Sequence, residues 1–179
     1  MEISDRVLFF KYALPCAQTL IKRDTLRQED YKIMLRLVVD GKAPAKDSEN
    51  VFKVAIANLK FLAMKKKKSE IDDETIREYF WFKHDEAVDE RFEEMGDFNP
   101  EICRTYPGIV RELKGNKAVV ETPLGTKTYR KDLIKDLKIQ DVVIIHRGFV
   151  VEKVSRELAA KLWDLKKKYV HNLGKNIFI

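Results

Sequence analysis

The spacing of apolar residues changes once along this chain, and that change constrains the fold more than any other feature. Up to about residue 95 apolar residues recur every three or four positions, the period of a helix buried on one face. The segment 96–100, GDFNP, interrupts this pattern, and short alternating runs follow it. The sequence therefore predicts an α+β protein of two domains: a helical bundle over 1–95, a linker over 96–102 and a second domain over 103–179.

Four helices are predicted in the first domain. The first is expected to begin at Ser4 and to be kinked or divided at Pro15, because a proline inside a helix costs about 3 kcal/mol. The second is expected over Gln28–Val39, ending at Gly41. The third is expected to begin at Ser48, and the fourth at Asp72 or Asp73 and to run on as one helix.

The second domain contains five short apolar runs with strand character. They lie at 108–113, 117–121, 127–130, 141–146 and 149–154. Runs of this length, separated by glycine-containing turns, are typical of a small closed β barrel. Ser155 is predicted to cap a final helix after the fifth run.

Charge is divided unevenly between the two halves. Residues 1–95 carry 18 Lys+Arg against 19 Asp+Glu, and residues 96–179 carry 17 against 10. A basic barrel with aromatic residues suggests an alternative function, the binding of single-stranded nucleic acid. The candidate surface for that alternative comprises Arg111, Lys127, Arg130 and Lys131, with Tyr106, Tyr129 and Phe149 as candidate stacking residues.

Several functional classes find no support in the sequence. No apolar run approaches the roughly 18 residues of a membrane span, so no membrane partner and a cytoplasmic location are expected. The two cysteines, Cys16 and Cys103, make a disulfide framework improbable in such a protein. The phosphate-binding loop, the dinucleotide fingerprint, the Cys-x-x-Cys pair and the serine nucleophile elbow are all missing, so we do not expect an enzyme.

Five motifs follow one another over residues 103–170. They are CRTYPG at 103–108, Gly115-Asn116 with AVV at 118–120, a turn at Gly125, DVVIIH at 141–146, and Gly148-Phe149 leading to EKV at 152–154. In this order and spacing they resemble the HypC/HupF family of hydrogenase maturation chaperones. The resemblance implies a small OB-like five-stranded barrel with a C-terminal helix.

The same resemblance implies partners and a cargo. Such proteins dock a maturation scaffold protein and the large-subunit precursor of nickel–iron hydrogenase, and transiently hold an iron carrying cyanide and carbon monoxide. Cys103 would supply the thiolate that contacts this iron, and His146 would lie beside it. Relatives usually begin Met-Cys, which leaves a free amine near the sulfur once the methionine is lost; here Ile102 precedes the cysteine.

The chemistry of these residues agrees with that role. Thiolate is a soft ligand suited to such an iron, and imidazole is a plausible second donor. Arg104 and Arg147 are candidates for stabilising the thiolate, and Pro107 and Gly108 for forming the turn that presents it. We therefore expect Cys103 to be a partly exposed thiol. A third hypothesis is an interaction adaptor that has kept the barrel and lost the iron.

Two further residues are interpreted as structural. Cys16 follows Pro15 in an apolar helix and is expected to be a protected core residue. His84 lacks the glutamate three positions earlier that a di-iron bundle requires, since Trp81 occupies that position. His84 is therefore expected to be packed or hydrogen-bonded rather than a metal ligand.

Overall fold

The computed structural model describes residues 1–95, 100–167 and 177–178, with 91–95 as backbone alone. The chain divides into two compact units, Met1–Pro100 and Glu101–Ile179. Residues 96–99 of the predicted linker lie outside the described residues, and the limits of that linker stay a prediction. None of the described helices is long and apolar enough to cross a membrane.

The first unit is helical. Its elements are α1 (Arg6–Ala13), a 3-10 turn (Leu14–Cys16), α2 (Ala17–Lys22), α3 (Gln28–Val39), a 3-10 segment (Lys46–Phe52), α4 (Lys53–Lys65), α5 (Asp73–Glu78), a π-helical turn (Tyr79–Lys83) and α6 (His84–Met95). Pro15 divides the first predicted helix, and α3 has the predicted bounds. Gly41 follows α3 with a φ of +72°, the left-handed conformation that ends many helices.

Two predicted helix starts are wrong. The carboxylate of Asp5 accepts the hydrogen bond from the Leu8 N–H at 2.8 Å and so caps α1, whereas the Ser4 hydroxyl donates to the Ile71 carbonyl. Ser48 lies inside a 3-10 segment, and α4 begins only at Lys53. The predicted start at Asp72 is confirmed, because its carboxylate accepts from the backbone N–H of Thr75 at 3.0 Å.

Aromatic side chains form much of the core of the helical unit. Tyr79, Phe80 and Trp81 are consecutive and all buried. Consecutive residues of an α-helix project about 100° apart, so this segment is enclosed from several directions. The Tyr12 ring stacks on Phe80 with centroids 5.2 Å apart, and the Trp81 Nε1–H donates to the Tyr12 hydroxyl at 2.8 Å. The fourth predicted helix is therefore interrupted by a π-helical turn at its most buried point.

The second unit is a closed barrel between two helices. Its elements are α7 (Pro100–Cys103), β1 (Thr105–Lys114), β2 (Lys117–Thr122), β3 (Gly125–Arg130), β4 (Val142–His146), β5 (Phe149–Lys153) and α8 (Arg156–Lys166). The strand order is β1-β2-β3-β5-β4, with β4 antiparallel to β1 to complete the closure. The predicted architecture, α+β with a helical first domain and a five-stranded barrel before a final helix, is confirmed.

The barrel interior is filled by aliphatic side chains. The buried cluster comprises Tyr106, Ile109, Val110, Ala118, Val120, Ile134, Leu137, Val142, Val143, Ile145, Val150, Ala159, Trp163 and Phe178. Helix α8 contributes Ala159 and Trp163 to this cluster. The hydroxyl of Ser155 accepts from the Leu158 N–H at 3.1 Å, which confirms the predicted cap of that helix.

Pro107 and Gly108 lie inside β1 rather than in a turn, which corrects their predicted role. They pair with Ile144 and Val143 of β4, whereas β1 begins to pair with β2 only at Ile109. A Cβ added at Gly108 would lie 2.4 Å from Val120 Cγ1 and 2.9 Å from the Glu121 carbonyl oxygen. Glycine is therefore required here by the close approach of β2 and not by a turn conformation.

Candidate functional site

Cys103 lies at the end of helix α7, and His146 lies at the end of strand β4. Cys103 is the last residue of α7, two positions before β1 begins, and His146 is the last residue of β4. The register pairs His146 with Thr105, the first residue of β1. The antiparallel pairing of β1 and β4 thus brings the backbone of His146 opposite the segment that leads from Cys103 into the barrel.

Arg147 contacts the sulfur of Cys103. Its Nη1 donates a hydrogen bond to Cys103 Sγ at 3.3 Å. A guanidinium is positively charged throughout the physiological pH range, so this contact favours a thiolate over a thiol. Arg147, one of the two arginines predicted to stabilise the thiolate, is therefore placed at the sulfur.

The hairpin between β4 and β5 determines where Arg147 lies. His146 pairs with Phe149, so Arg147 and Gly148 are the two residues of the loop. Their φ angles are +43° and +86°, as in a type I′ turn. This turn prefers Asn-Gly, and a long side chain such as arginine is uncommon in the left-handed conformation. The guanidinium of Arg147 contacts Cys103 Sγ, which gives this strained position a chemical role.

The prediction that Cys103 is partly exposed is wrong. Only 6% of its surface is exposed, and His146 is fully buried. The first six residues of β1, from Thr105 to Val110, are also all buried, so the chain is enclosed directly after this cysteine. Cysteine behaves as a small apolar side chain in such surroundings.

Arg104 follows Cys103 directly and is half-buried. Its position in the chain, between the cysteine and β1, keeps it close to the sulfur along the backbone. The role assigned to it as a second stabiliser of the thiolate stays a prediction.

The residues of the alternative nucleic-acid surface are engaged in different ways. Arg111 donates to the Glu121 carboxylate at 2.5 Å and to Gln140 at 3.0 Å. Arg130 pairs with Asp132 at 2.7 Å and lies over the Phe149 ring. Lys127 is exposed on β3, and Lys131 is half-buried in the loop after it. Two of the four cations are thus partly neutralised by neighbouring carboxylates.

The aromatic residues of that alternative are not displayed on a surface. Tyr106 and Phe149 are 4% and 6% exposed. Tyr129 is half-buried, and its burial raises the pKa of its hydroxyl to about 12. Base stacking requires an accessible aromatic face, which Tyr106 and Phe149 do not offer.

Cys16 and His84 are in contact in the helical unit, which the sequence does not predict. Cys16 Sγ lies 3.5 Å from His84 Nε2, and the other ring nitrogen, Nδ1, lies 4.0 Å from Asp85 Oδ1. Cys16 is half-buried rather than fully buried, so its assignment as a protected core residue is wrong, whereas the expected hydrogen bonding of His84 is confirmed. Burial disfavours the imidazolium, but a thiolate at Cys16 and the Asp85 carboxylate outweigh it and raise the pKa of His84 to about 9.

Comparison with known proteins identifies one part of the chain. No curated protein matches it. The N-terminal part matches no family model. Residues 102–165 match the model of the HupF/HypC family, over the barrel and most of α8. The C-terminal part of this chain is therefore a HupF/HypC-family domain.

Proposed function

We propose that this chain is a hydrogenase maturation chaperone whose barrel docks a maturation scaffold protein or a hydrogenase large-subunit precursor. In this proposal the Cys103 thiolate transiently carries an iron with cyanide and carbon monoxide ligands as cargo. The family match supports a chaperone role in hydrogenase maturation, and with it a function that is not enzymatic. A cytoplasmic location remains part of the proposal.

The observation that carries the proposal is the hydrogen bond from Arg147 to Cys103 Sγ, 3.3 Å long. A soft iron group binds cysteine only as the thiolate, and a fixed cation next to the sulfur favours that form. In relatives that begin Met-Cys, a free amine lies close to the sulfur. Cys103 is internal and has no such amine, and the Arg147 guanidinium supplies a positive charge next to the sulfur.

His146 is the proposed second donor. Its pairing with Thr105 places its backbone opposite the residue two positions after Cys103. A buried neutral imidazole can coordinate iron or hold a proton released when the thiol ionises. Its complete burial means that any such role is exercised out of contact with bulk water.

An exposed apolar residue next to Cys103 supports docking at this end of the barrel. Ile102 directly precedes Cys103 and exposes 57% of its surface. Large apolar side chains at the centre of an interface are shielded when a partner binds. A partner that covers Ile102 would be in position to receive an iron group from the neighbouring sulfur.

The burial of Cys103 favours a second candidate, the adaptor that has lost iron handling. A thiol with 6% exposure admits an iron group only if the residues around it open. The two hypotheses share the docking function and differ in one property. In the chaperone hypothesis Cys103 is reactive and holds iron, whereas in the adaptor hypothesis it is inert.

The test is to express the chain together with a maturation scaffold protein and a large-subunit precursor, and to purify the resulting complex. Iron content and the infrared stretching bands of cyanide and carbon monoxide are measured for the wild type, Cys103→Ala and Cys16→Ala. We expect the iron group in the wild type and in Cys16→Ala. Cys103→Ala should lose it while still binding the partners.

The matched cysteine variants separate the hypotheses. If the wild type holds no more iron than Cys103→Ala while both bind the partners, the adaptor hypothesis replaces the chaperone hypothesis. If neither protein binds a maturation partner, both hypotheses fail. Circular dichroism of each variant establishes that the barrel remains folded.

A further inference from the structure

Three side chains that ionise or act as nucleophiles meet in the helical unit, in the part of the chain that no family model covers. Cys16 Sγ and His84 Nε2 are 3.5 Å apart, within hydrogen-bonding distance for sulfur. Asp85 Oδ1 lies 4.0 Å from the other ring nitrogen of His84. A nucleophile next to a base, with a carboxylate on the far side of that base, is the arrangement that activates thiols in proteins.

Two irregularities in the helices produce this contact. Cys16 ends the 3-10 turn, Leu14–Cys16, that Pro15 imposes between α1 and α2. His84 follows the π-helical turn, Tyr79–Lys83, and its backbone N–H bonds to the carbonyls of Phe82 and Tyr79. A π-helical turn adds a residue to the helix and rotates everything after it, and such turns are frequent at functional sites.

We propose that Cys16 is a nucleophilic thiol activated by His84, and that it is oxidised reversibly to a sulfenic acid by small hydroperoxides. The proposal concerns a modification site in the helical unit and does not depend on the iron-carrying role of Cys103. The half-buried position of Cys16 favours a small electrophile, since a bulky one would need more of the sulfur exposed.

The reaction requires the Cys16 thiolate, the His84 imidazolium and one oxidant, the hydroperoxide. The Cys16 thiolate attacks one oxygen of the hydroperoxide, an S–O bond forms and the O–O bond breaks. The sulfur loses two electrons and the peroxide gains them. The leaving oxygen takes the proton from the His84 imidazolium, so that hydrogen peroxide yields the sulfenic acid, water and a neutral imidazole. A small thiol reductant returns the cysteine through a mixed disulfide.

Cys103 differs from Cys16 in whether the cation beside its sulfur can donate a proton. Its cationic partner is Arg147, which stabilises a thiolate but does not release a proton at physiological pH. The His84 imidazolium can both stabilise a thiolate and release a proton, because an imidazolium gives up its proton readily. The pKa of about 9 at His84 agrees with an imidazolium held between a thiolate and a carboxylate. Cys16 is also the more exposed of the two cysteine residues.

The experiment follows sulfenic acid formation at each cysteine of the full chain. Protein is treated with hydrogen peroxide in the presence of dimedone, and labelling of the Cys16 and Cys103 peptides is measured by mass spectrometry over time. The variants are Cys103→Ala, His84→Gln and Asp85→Asn. We expect Cys16 to be labelled at least tenfold faster than in the urea-unfolded chain, at the same rate in Cys103→Ala, and about tenfold more slowly in His84→Gln.

Asp85→Asn keeps the proposal testable if His84→Gln fails to fold. It changes only a partly buried carboxylate and should slow labelling by a smaller factor, about threefold. The proposal is overturned if Cys16 in the folded wild type reacts no faster than in the unfolded chain, or if a folded His84→Gln protein reacts like the wild type. Iron content tests the role of Cys103, and dimedone labelling tests the role of Cys16. Because the two measurements are independent, the failure of one proposal can be told from the failure of the other.

Discussion

Arg147 holds a left-handed backbone conformation, with φ +43°, while its guanidinium donates to Cys103 Sγ. An arginine stabilises the thiolate of Cys103, but a long side chain is unfavourable in this left-handed turn position. Backbone preference and thiol chemistry therefore oppose each other at this position.

Replacing Arg147 with asparagine should separate these two effects. Asn-Gly is the preferred pair for a type I′ turn, so Arg147→Asn should leave the free energy of unfolding unchanged or raise it by up to about 1 kcal/mol. Loss of the guanidinium should slow alkylation of Cys103 by about tenfold, as expected for a thiolate that loses a charged hydrogen bond. Urea denaturation and alkylation kinetics measure the two quantities. Alkylation of Cys103 at the wild-type rate would show that Arg147 does not activate it.

Gly108→Ala should destabilise the barrel through a steric clash. The added Cβ would meet Val120 Cγ1 at 2.4 Å and the Glu121 carbonyl at 2.9 Å, and the carbonyl cannot move without disturbing β2. We expect a loss of about 1–3 kcal/mol, the usual cost of overpacking a core. Gly115→Asn is the matched control, because its φ of +56° suits asparagine and nothing lies within 4 Å of the added Cβ. Equal midpoints of urea denaturation for the two variants would contradict this explanation.

Asp72 should make the helical unit sensitive to acid. Burial raises the pKa of its carboxyl, but hydrogen bonds from Lys68 and Thr75 outweigh burial and lower the pKa from 3.8 to about 2. A carboxyl with a depressed folded-state pKa stabilises the fold fully above its unfolded value, and that contribution is lost as the pH falls from about 4 to about 2.

Two variants at Asp72 test this contribution. Asp72→Asn keeps an oxygen to cap α5 but loses the charge, and with 36% of the side chain exposed the cost at pH 7 should stay below about 1 kcal/mol. Asp72→Ala also loses the cap and should cost about 1 kcal/mol more. Urea denaturation at pH 7 and pH 2 should show that the difference between the wild type and Asp72→Asn disappears in acid. A difference that persists at pH 2 would assign the effect to something other than ionisation.

Binding to single-stranded oligonucleotides should be weak. Carboxylates already engage Arg111 and Arg130, and the Tyr106 and Phe149 rings are buried. Fluorescence anisotropy with a labelled oligonucleotide, measured at low and physiological salt, should detect only binding that salt abolishes. The double variant Lys127→Ala, Lys131→Ala should change that binding little. Tight binding at physiological salt, lost in this variant, would favour the nucleic-acid alternative.

Local patterns in the sequence predicted most of the fold. The apolar period and Gly41 gave the bounds of α3, Pro15 gave the division between α1 and α2, and Ser155 gave the start of α8. Each of these signals acts through neighbouring backbone groups, so it is visible in a short stretch of chain. The spacing of the five short runs and the family motifs both predicted the barrel, but neither predicted its strand order, which depends on pairing between distant strands.

The candidate sites were predicted less well, because they depend on contacts between residues far apart in the chain. Cys16 and His84 are 68 positions apart, and the π-helical turn that positions His84 has no recognised sequence signal. The burial of Cys103 follows from how β1 enters the barrel, which the alternation of residues 108–113 did not reveal. The charge of Arg147 and its place in the motif predict a role at the sulfur, but they do not predict its left-handed turn conformation.

Pro107 disfavours the addition of a strand from a second copy of the chain to the edge of β1. It lies in the part of β1 that is paired with β4 but not yet with β2, where a strand has one edge without a ladder partner. Residues 105–110 are buried in the folded barrel, so this edge is open only while the barrel is forming; a strand from a second copy that added to it then would meet a residue with no N–H to donate. Pro107→Val would restore that donor, and the protein would then become more prone to aggregate during refolding at high concentration.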